Sequence, residues 1–320
     1  MHSKLRRIEK LAFFHTPIEK LTIPPTTDEL VDGFCSGTTS LNSIEVSPKN
    51  SKYISVEGEY LTTKGEIDGS ELIFVRRNID AFTIPPTIKK IGVYAFQTCH
   101  NLTTVTFSVL KSPHFTDTID DHSFSECVKL ETIEIPITVI KRIGKFSFSS
   151  CKNLKRVTFV RPNNDDSCVL ETIDDSAFKG CEKLSEITIP FCVKKIGSSC
   201  FHTCSSLKKV IFEDGSRLES IGNYGFSYCS SLEIFEMPKS ATQIGEFCFE
   251  SCSALSNVKF DLDSQITVIP KSSFSYCSEL AEFVLPTAVK TVEQGAFKSC
   301  RKLNRILLTN SNLSEIGSSA

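Results

Sequence analysis

Cysteine and histidine are the residues of this 320-residue chain best suited to chemistry, with 14 of the first and six of the second. The histidines are His2, His15, His100, His114, His122 and His202. None recurs at a fixed offset, and none has a metal-binding spacing such as His-x-x-x-His. The sequence shows no glycine-rich phosphate loop, nucleophile elbow or Ser/His/Asp set. No catalytic residue is assigned, and the chain is read as a non-enzyme without cofactor. Two cysteine pairs, Cys200/Cys204 and Cys248/Cys252, stand four apart around a Phe. They could supply a four-thiolate zinc site. Alternatively they fill structural positions, because Cys204 and Cys252 belong to a repeat.

That repeat organises the chain. Nine units begin at Phe96, Phe124, Phe148, Phe178, Phe201, Phe226, Phe249, Phe274 and Phe297. Each has Cys three residues later (Cys99 through Cys300) and Leu three residues after that (Leu102 through Leu303). Apolar residues follow three and five positions on, as in Ile133/Ile135 and Ile187/Ile189. The refilled slots explain 24 Phe beside no Trp and two Met. Two weaker units, around Phe13 and Phe34, bring the count to about eleven.

The Leu-x-x-Ile-x-Ile stretch alternates as a strand with one buried face. Similar strands every 23 to 30 residues must pair in parallel, turn upon turn. The fold class is therefore a leucine-rich-repeat solenoid, β-dominated, with a curved parallel sheet. Upstream Ile-Gly-x-x-x-Phe runs predict a turn permitted by Gly, then about one helical turn placing Phe and Cys on one face. Cys acts there as a small apolar residue, which predicts mostly buried free thiols. Residues 1–49 read as divergent N-terminal repeats. Residues 50–83 read as an inserted β-hairpin that projects from the array: strand Tyr53–Val56, turn, strand Tyr60–Thr62, a polar loop through Asp68-Gly69, then strand Glu71–Val75. Residues 84–320 are the regular solenoid, all one continuous domain. The closing Glu315-Ile316-Gly317-Ser318-Ser319-Ala320 copies the lead-in to a Phe, so a further unit is expected.

Units alternate in kind. Strands ending at Pro136, Pro190, Pro238 and Pro286 carry Glu134, Glu186, Glu236 and Glu282; the intervening strands carry Arg156, Lys209, Lys259 and Arg305. With rungs ~4.8 Å apart, each acid lies beside a base. Two readings stand: a charge ladder that keeps register, or a ligand surface patterned in sign. Acidic loops (Asp117 to Asp121, Asp165-Asp166, Glu213-Asp214, Asp261 and Asp263) likewise alternate with basic ones (Lys141-Arg142, Lys194-Lys195, Lys290). They read as solvated edges that neutralise one another.

The outward strand positions are candidate binding residues: Arg156, Glu186, Lys209, Ile211, Ile234, Glu236, Lys259, Glu282, Val284, Arg305 and Leu307. Apolar residues rimmed by charge suit a protein interface, although scattered surface apolars are also ordinary. A net charge of -2 gives no reason to expect nucleic acid or anionic membrane as partner. No apolar run approaches the ~18 residues of a membrane span. The apolar block Leu11–Phe14 is too short for a signal peptide's core.

The unit resembles the BspA-like (Treponema pallidum-type) leucine-rich repeats of microbial surface antigens. Ile91–Phe107, Ile143–Phe159, Ile196–Phe212 and Ile244–Phe260 carry the likeness, which covers about 90–320 firmly and 5–90 loosely. The inserted hairpin also looks like one such proteins carry. The resemblance implies a cell-surface or secreted protein that adheres to host, matrix or cell-surface proteins. It supplies no catalytic residues. An intracellular interaction scaffold is the alternative, favoured by the thiols and the lack of an export signal.

Overall fold

The computed structural model describes residues 3–65, 70–108, 117–161, 167–261, 263–308 and 312–320. The chain winds into a β-solenoid of about 13 turns. One column is a broad parallel sheet, interrupted between turns, whose rungs include Ala81–Ile84, Thr104–Phe107, Thr132–Pro136, Arg156–Val160, Glu186–Ile189, Lys209–Phe212, Ile234–Glu236 and Asn257–Lys259. In Glu186–Ile189 the side chains run exposed, buried, exposed, buried. That is the alternation the sequence predicts. A second, narrow sheet stacks the Ile of each Ile-Gly lead-in, as in Arg142–Ile143 on Thr172–Ile173.

The turns around Phe contain no helix among the described residues. This corrects the expected helical turn, and the backbone supplies the reason. In all nine units the residues two before and two after Phe are left-handed, with φ between 52° and 73°. Only two of these 18 positions are Gly. Such residues interrupt an α-helix and turn alternate N–H groups toward the next turn. Tyr94, Phe96 and Thr98 donate to the carbonyls of Asp121, Ser123 and Ser125. His122, Phe124 and Glu126 donate in the same way to Lys145, Ser147 and Ser149. These hydrogen bonds form a third ladder and offset the strain of about 1–3 kcal/mol per left-handed residue.

Inside this ladder the Phe rings stack from Phe96 to Phe297, 4.5 to 5.8 Å apart and within 12° of parallel. The cysteines do more than fill space. From Cys127 to Cys300, eight successive thiols donate to the carbonyl of the preceding turn's Phe at 3.1 to 3.3 Å. Burial pushes these thiols up, to about 12 for Cys204. They therefore stay protonated and able to donate. Cys200 and Cys248 lie in the buried slot before Phe, where other turns carry Ala, Ser or Gly.

The Gly of Ile-Gly serves close approach rather than a special φ. A Cβ on Gly197 would lie 2.4 Å from the Asp175 nitrogen, and one on Gly245 2.3 Å from that of Asn223. Only a residue without Cβ lets adjacent turns come that near.

The expected strands of the insertion are present as Tyr53–Val56, Tyr60–Thr63 and Ser70–Val75; the loop through Asp68-Gly69 lies outside the described residues. The insertion does not project as expected. Its strands pair antiparallel with one another and continue the narrow sheet, Ser70–Val75 lying parallel to Ile88–Ile91. Tyr53, Leu61 and Phe74 join the N-terminal core with Phe34 and Leu41, which is why the insertion lies flat. Arg77, 2% exposed, ties this core to the main array. It donates to the carbonyls of Thr38, Val75 and Ala95 and lies 4.4 Å from the Phe74 ring centre.

Twelve cysteines are free thiols, as expected, eleven of them buried. Cys168 and Cys192 form a disulfide with Cα atoms 5.8 Å apart. They occupy loops on adjacent turns rather than the repeated slot, so the parallel alignment that keeps the other thiols apart does not apply to them.

Candidate functional site

The broad sheet presents the predicted positions in register. Glu186 lies opposite Lys209, Lys209 opposite Ile234, Glu236 opposite Lys259, and Val284 opposite Leu307. Arg156, Glu186, Lys209, Ile234, Glu236, Lys259, Glu282, Val284 and Arg305 are exposed, while Ile211 and Leu307 are half-buried. Ile234 and Val284 are 43% and 45% exposed, high for β-branched residues on a sheet.

The acid–base pattern makes real contacts. Lys259 Nζ lies 2.6 Å from Glu236 Oε1, and Arg305 Nη1 3.1 Å from Glu282 Oε2. Each pair joins a Pro-ended strand to its successor. On the narrow-sheet side Lys90 bridges Glu71 and Asp120 at 3.0 and 2.8 Å, and Arg142 holds Asp120, Asp121 and Asp174. Lys141 and Lys194 reach Asp117 and Glu171. These loop edges neutralise one another across turns; Asp165-Asp166 lie outside the described residues.

Two grooves follow the outward face. The larger, about 1280 Å³, runs over Glu186, Lys209, Ile211, Ile234 and Glu236. The smaller, about 470 Å³, runs over Lys259, Glu282 and Val284. Asp261 lines both. Arg156, Arg305 and Leu307 line neither. The register found the groove floors but missed the walls. These come from residues just before the strands (Lys208, Glu233) and from the loops after them, Glu213–Ser216 and Met237–Ser240. The signal was available: every outward strand position is flanked by the ends of its own strand.

One wall is braced. Arg161 grips Glu213 with two hydrogen bonds of 3.0 and 2.6 Å. That contact holds the Glu213 carboxyl below its ordinary range despite partial burial, helped by the Phe191 N–H. The Phe191 ring lies within 5.6 Å of both the Arg161 and Arg217 guanidinium groups. Cys192, next to Phe191, carries the disulfide to Cys168. A rigid wall beside a floor of apolar and charged side chains suits binding without much ordering cost.

Comparison with known proteins follows the same lines. The family profile described as BspA type leucine rich repeat region matches in six copies, over residues 1–58, 70–208, 171–265 and 194–320. A leucine-rich repeat protein from Eubacterium ventriosum is similar in structure, with TM-score 0.67 and 25% identity over 77% of this chain and 62% of that one. The chain thus spans less than two thirds of that relative's length. The pneumococcal vaccine antigen PcpA gives TM-score 0.50 at 19% identity, over 83% of this chain and 78% of its own. The T. pallidum leucine-rich repeat protein gives 0.38 at 20%, over 82% and 85%. At 19% identity the likeness to PcpA shows fold alone. Among curated proteins no sequence match is found. Leucine-rich-repeat domains generally bind proteins, and the chain belongs to the BspA-type leucine-rich-repeat family.

Proposed function

We propose that the protein is a non-enzymatic binder of other proteins, of the surface-antigen or adhesin type. It seats a host, matrix or cell-surface protein on the outward face of the broad sheet, across Lys209, Ile211, Ile234, Glu236, Lys259, Glu282 and Val284. The observation that carries this reading is the larger groove, with exposed Ile234 in its floor and a braced wall at Glu213. The grooves combine apolar anchors with a charged rim, the usual anatomy of a protein interface. Surface placement draws on the family and on the fold shared with the pneumococcal antigen.

An intracellular interaction scaffold is the second reading, favoured by twelve free thiols. Buried thiols are inert in either setting. No helix among the described residues is long and apolar enough to cross a membrane.

Protease treatment of intact cells, with affinity capture from extracellular-matrix and cytosolic extracts, tests both parts. The expected result is cleavage on intact cells and a matrix or cell-surface protein held by the wild type but lost by Ile234→Asp/Val284→Asp. Complete protection would move the protein inside the cell. Capture undiminished by the double variant would place the site elsewhere.

A further inference from the structure

On the turn face a third groove, of about 490 Å³, crosses the first turns and shares no residue with the two strand-face grooves. Its floor is one column. Gln97, Ser125 and Ser149 occupy the position after the repeated Phe in three successive turns. They are only 7%, 6% and 9% exposed, yet all three line the groove. Gln97 Oε1 is committed, accepting from Ser36 Oγ at 2.8 Å and from the Gly37 N–H at 3.1 Å. This fixes the amide's orientation and turns its Nε2, with two donors, away from those partners. Among the described residues Nε2 has no protein partner, nor do the Ser125 and Ser149 hydroxyls. None of the three is among the side-chain atoms sealed from solvent, so each is open to a partner that enters the groove.

One wall is aromatic. Tyr94, His122 and Phe146 stack with centres 4.8 Å apart, within 14° of parallel. The stack ends at Phe146 because the next turn carries Ser176 in that slot. Glu126 and Lys10 are the charged residues of the lining, apart from His15 and His122. Burial holds His122 below its ordinary value and outweighs nearby Asp121.

The chemistry is selective. A nucleic acid needs a row of cations, and the lining holds one lysine. A charged peptide would meet a floor of neutral donors with few counter-charges. A chain of hydroxyl-bearing rings fits better. Hydrogen-bonding groups recur once per turn, at ~4.8 Å, close to the length of one pyranose in a chain, and ring C–H faces can lie on the aromatic wall. We propose that this groove binds a neutral oligosaccharide, with sugar hydroxyls bonded to Gln97 Nε2, Ser125 Oγ and Ser149 Oγ. The site is independent of the protein-docking face.

The test uses the full chain with cellotetraose, N-acetylchitotetraose and mannotetraose, followed by saturation-transfer NMR and titration calorimetry. At least one sugar should bind. Ser125→Ala/Ser149→Ala, which removes two hydroxyls with little change in volume, should weaken it about tenfold. Gln97→Met should weaken it as well, while Ile234→Asp/Val284→Asp should leave it unchanged. The Ser-to-Ala pair keeps the test sound even if Gln97→Met loosens its turn. Failure of all three sugars to bind at millimolar concentration would overturn the proposal. So would binding that survives the Ser-to-Ala pair, or loss of binding in the strand-face variant.

Discussion

Along the turn column, Phe follows Phe and Cys follows Cys for nine turns, whereas along the strand face no outward position keeps its residue for more than two turns in succession. The two columns share one register and one set of loops. In the turn column each ring between Phe96 and Phe297 stacks on a ring above and one below, so any change is felt by two neighbours. On the strand face a side chain meets solvent on one side, and its neighbours tolerate Thr, Lys, Ile or Glu. The contrast separates two kinds of slot within a single repeat: uniform slots hold the array together, and varied slots are the ones we propose for recognition.

The largest effect is expected in the turn column. Phe201 is fully buried and stacks on Phe178 and Phe226 at 5.5 and 5.1 Å. Phe201→Ala should cost about 3–5 kcal/mol of stability in chemical denaturation, since the neighbouring turns cannot close the cavity. A loss below about 1 kcal/mol would mean that the ladder relaxes freely.

Alkaline pH probes the same column. Burial raises Cys204 and Cys248 from 9.0 to about 12. In the unfolded chain these thiols ionise near 9.0, so the unfolded state loses protons first. Their contribution is complete below that value and declines as pH rises through 9 toward about 12. The thermal midpoint should therefore fall between about pH 8 and about pH 10.5, and fall less in Cys204→Ala/Cys248→Ala. Equal profiles for the two proteins would contradict the burial of these thiols.

Cys204→Ala at neutral pH should be milder, about 1 kcal/mol. The Phe178 carbonyl that loses the thiol donor still accepts from the Cys181 N–H at 3.2 Å, so no buried acceptor is orphaned. The smallest effect belongs to the outward face. A double-mutant cycle on Glu236 and Lys259, 2.6 Å apart but both well exposed, should give a coupling of about 0.2–1 kcal/mol that fades with salt.

The same contrast decides what could be read from the sequence. Phe, Cys and Leu in a fixed register left little choice of fold, and strand alternation put Ile234 and Val284 outside. The turn geometry was hidden because its left-handed positions hold Tyr, His, Phe, Ser and Thr. Inter-turn hydrogen bonds, not residue type, make those conformations acceptable there. The thiol donors were hidden for a related reason: a repeated Cys looks like a small apolar filler until the carbonyl of the preceding turn is in view. The groove wall is braced between loops that lie two turns apart in sequence, Arg161 and Glu213, and the Cys168–Cys192 pair lies outside every repeated slot.

The most direct test of this division measures stability and partner binding on the same two proteins, Ile234→Asp/Val284→Asp and Phe201→Ala. The strand-face variant should keep the wild-type thermal midpoint and lose the captured partner. The turn variant should lose midpoint yet still hold the partner at temperatures where it remains folded. A strand-face variant that unfolds early, or one that binds as well as the wild type, would contradict the claim that varied slots recognise and uniform slots support.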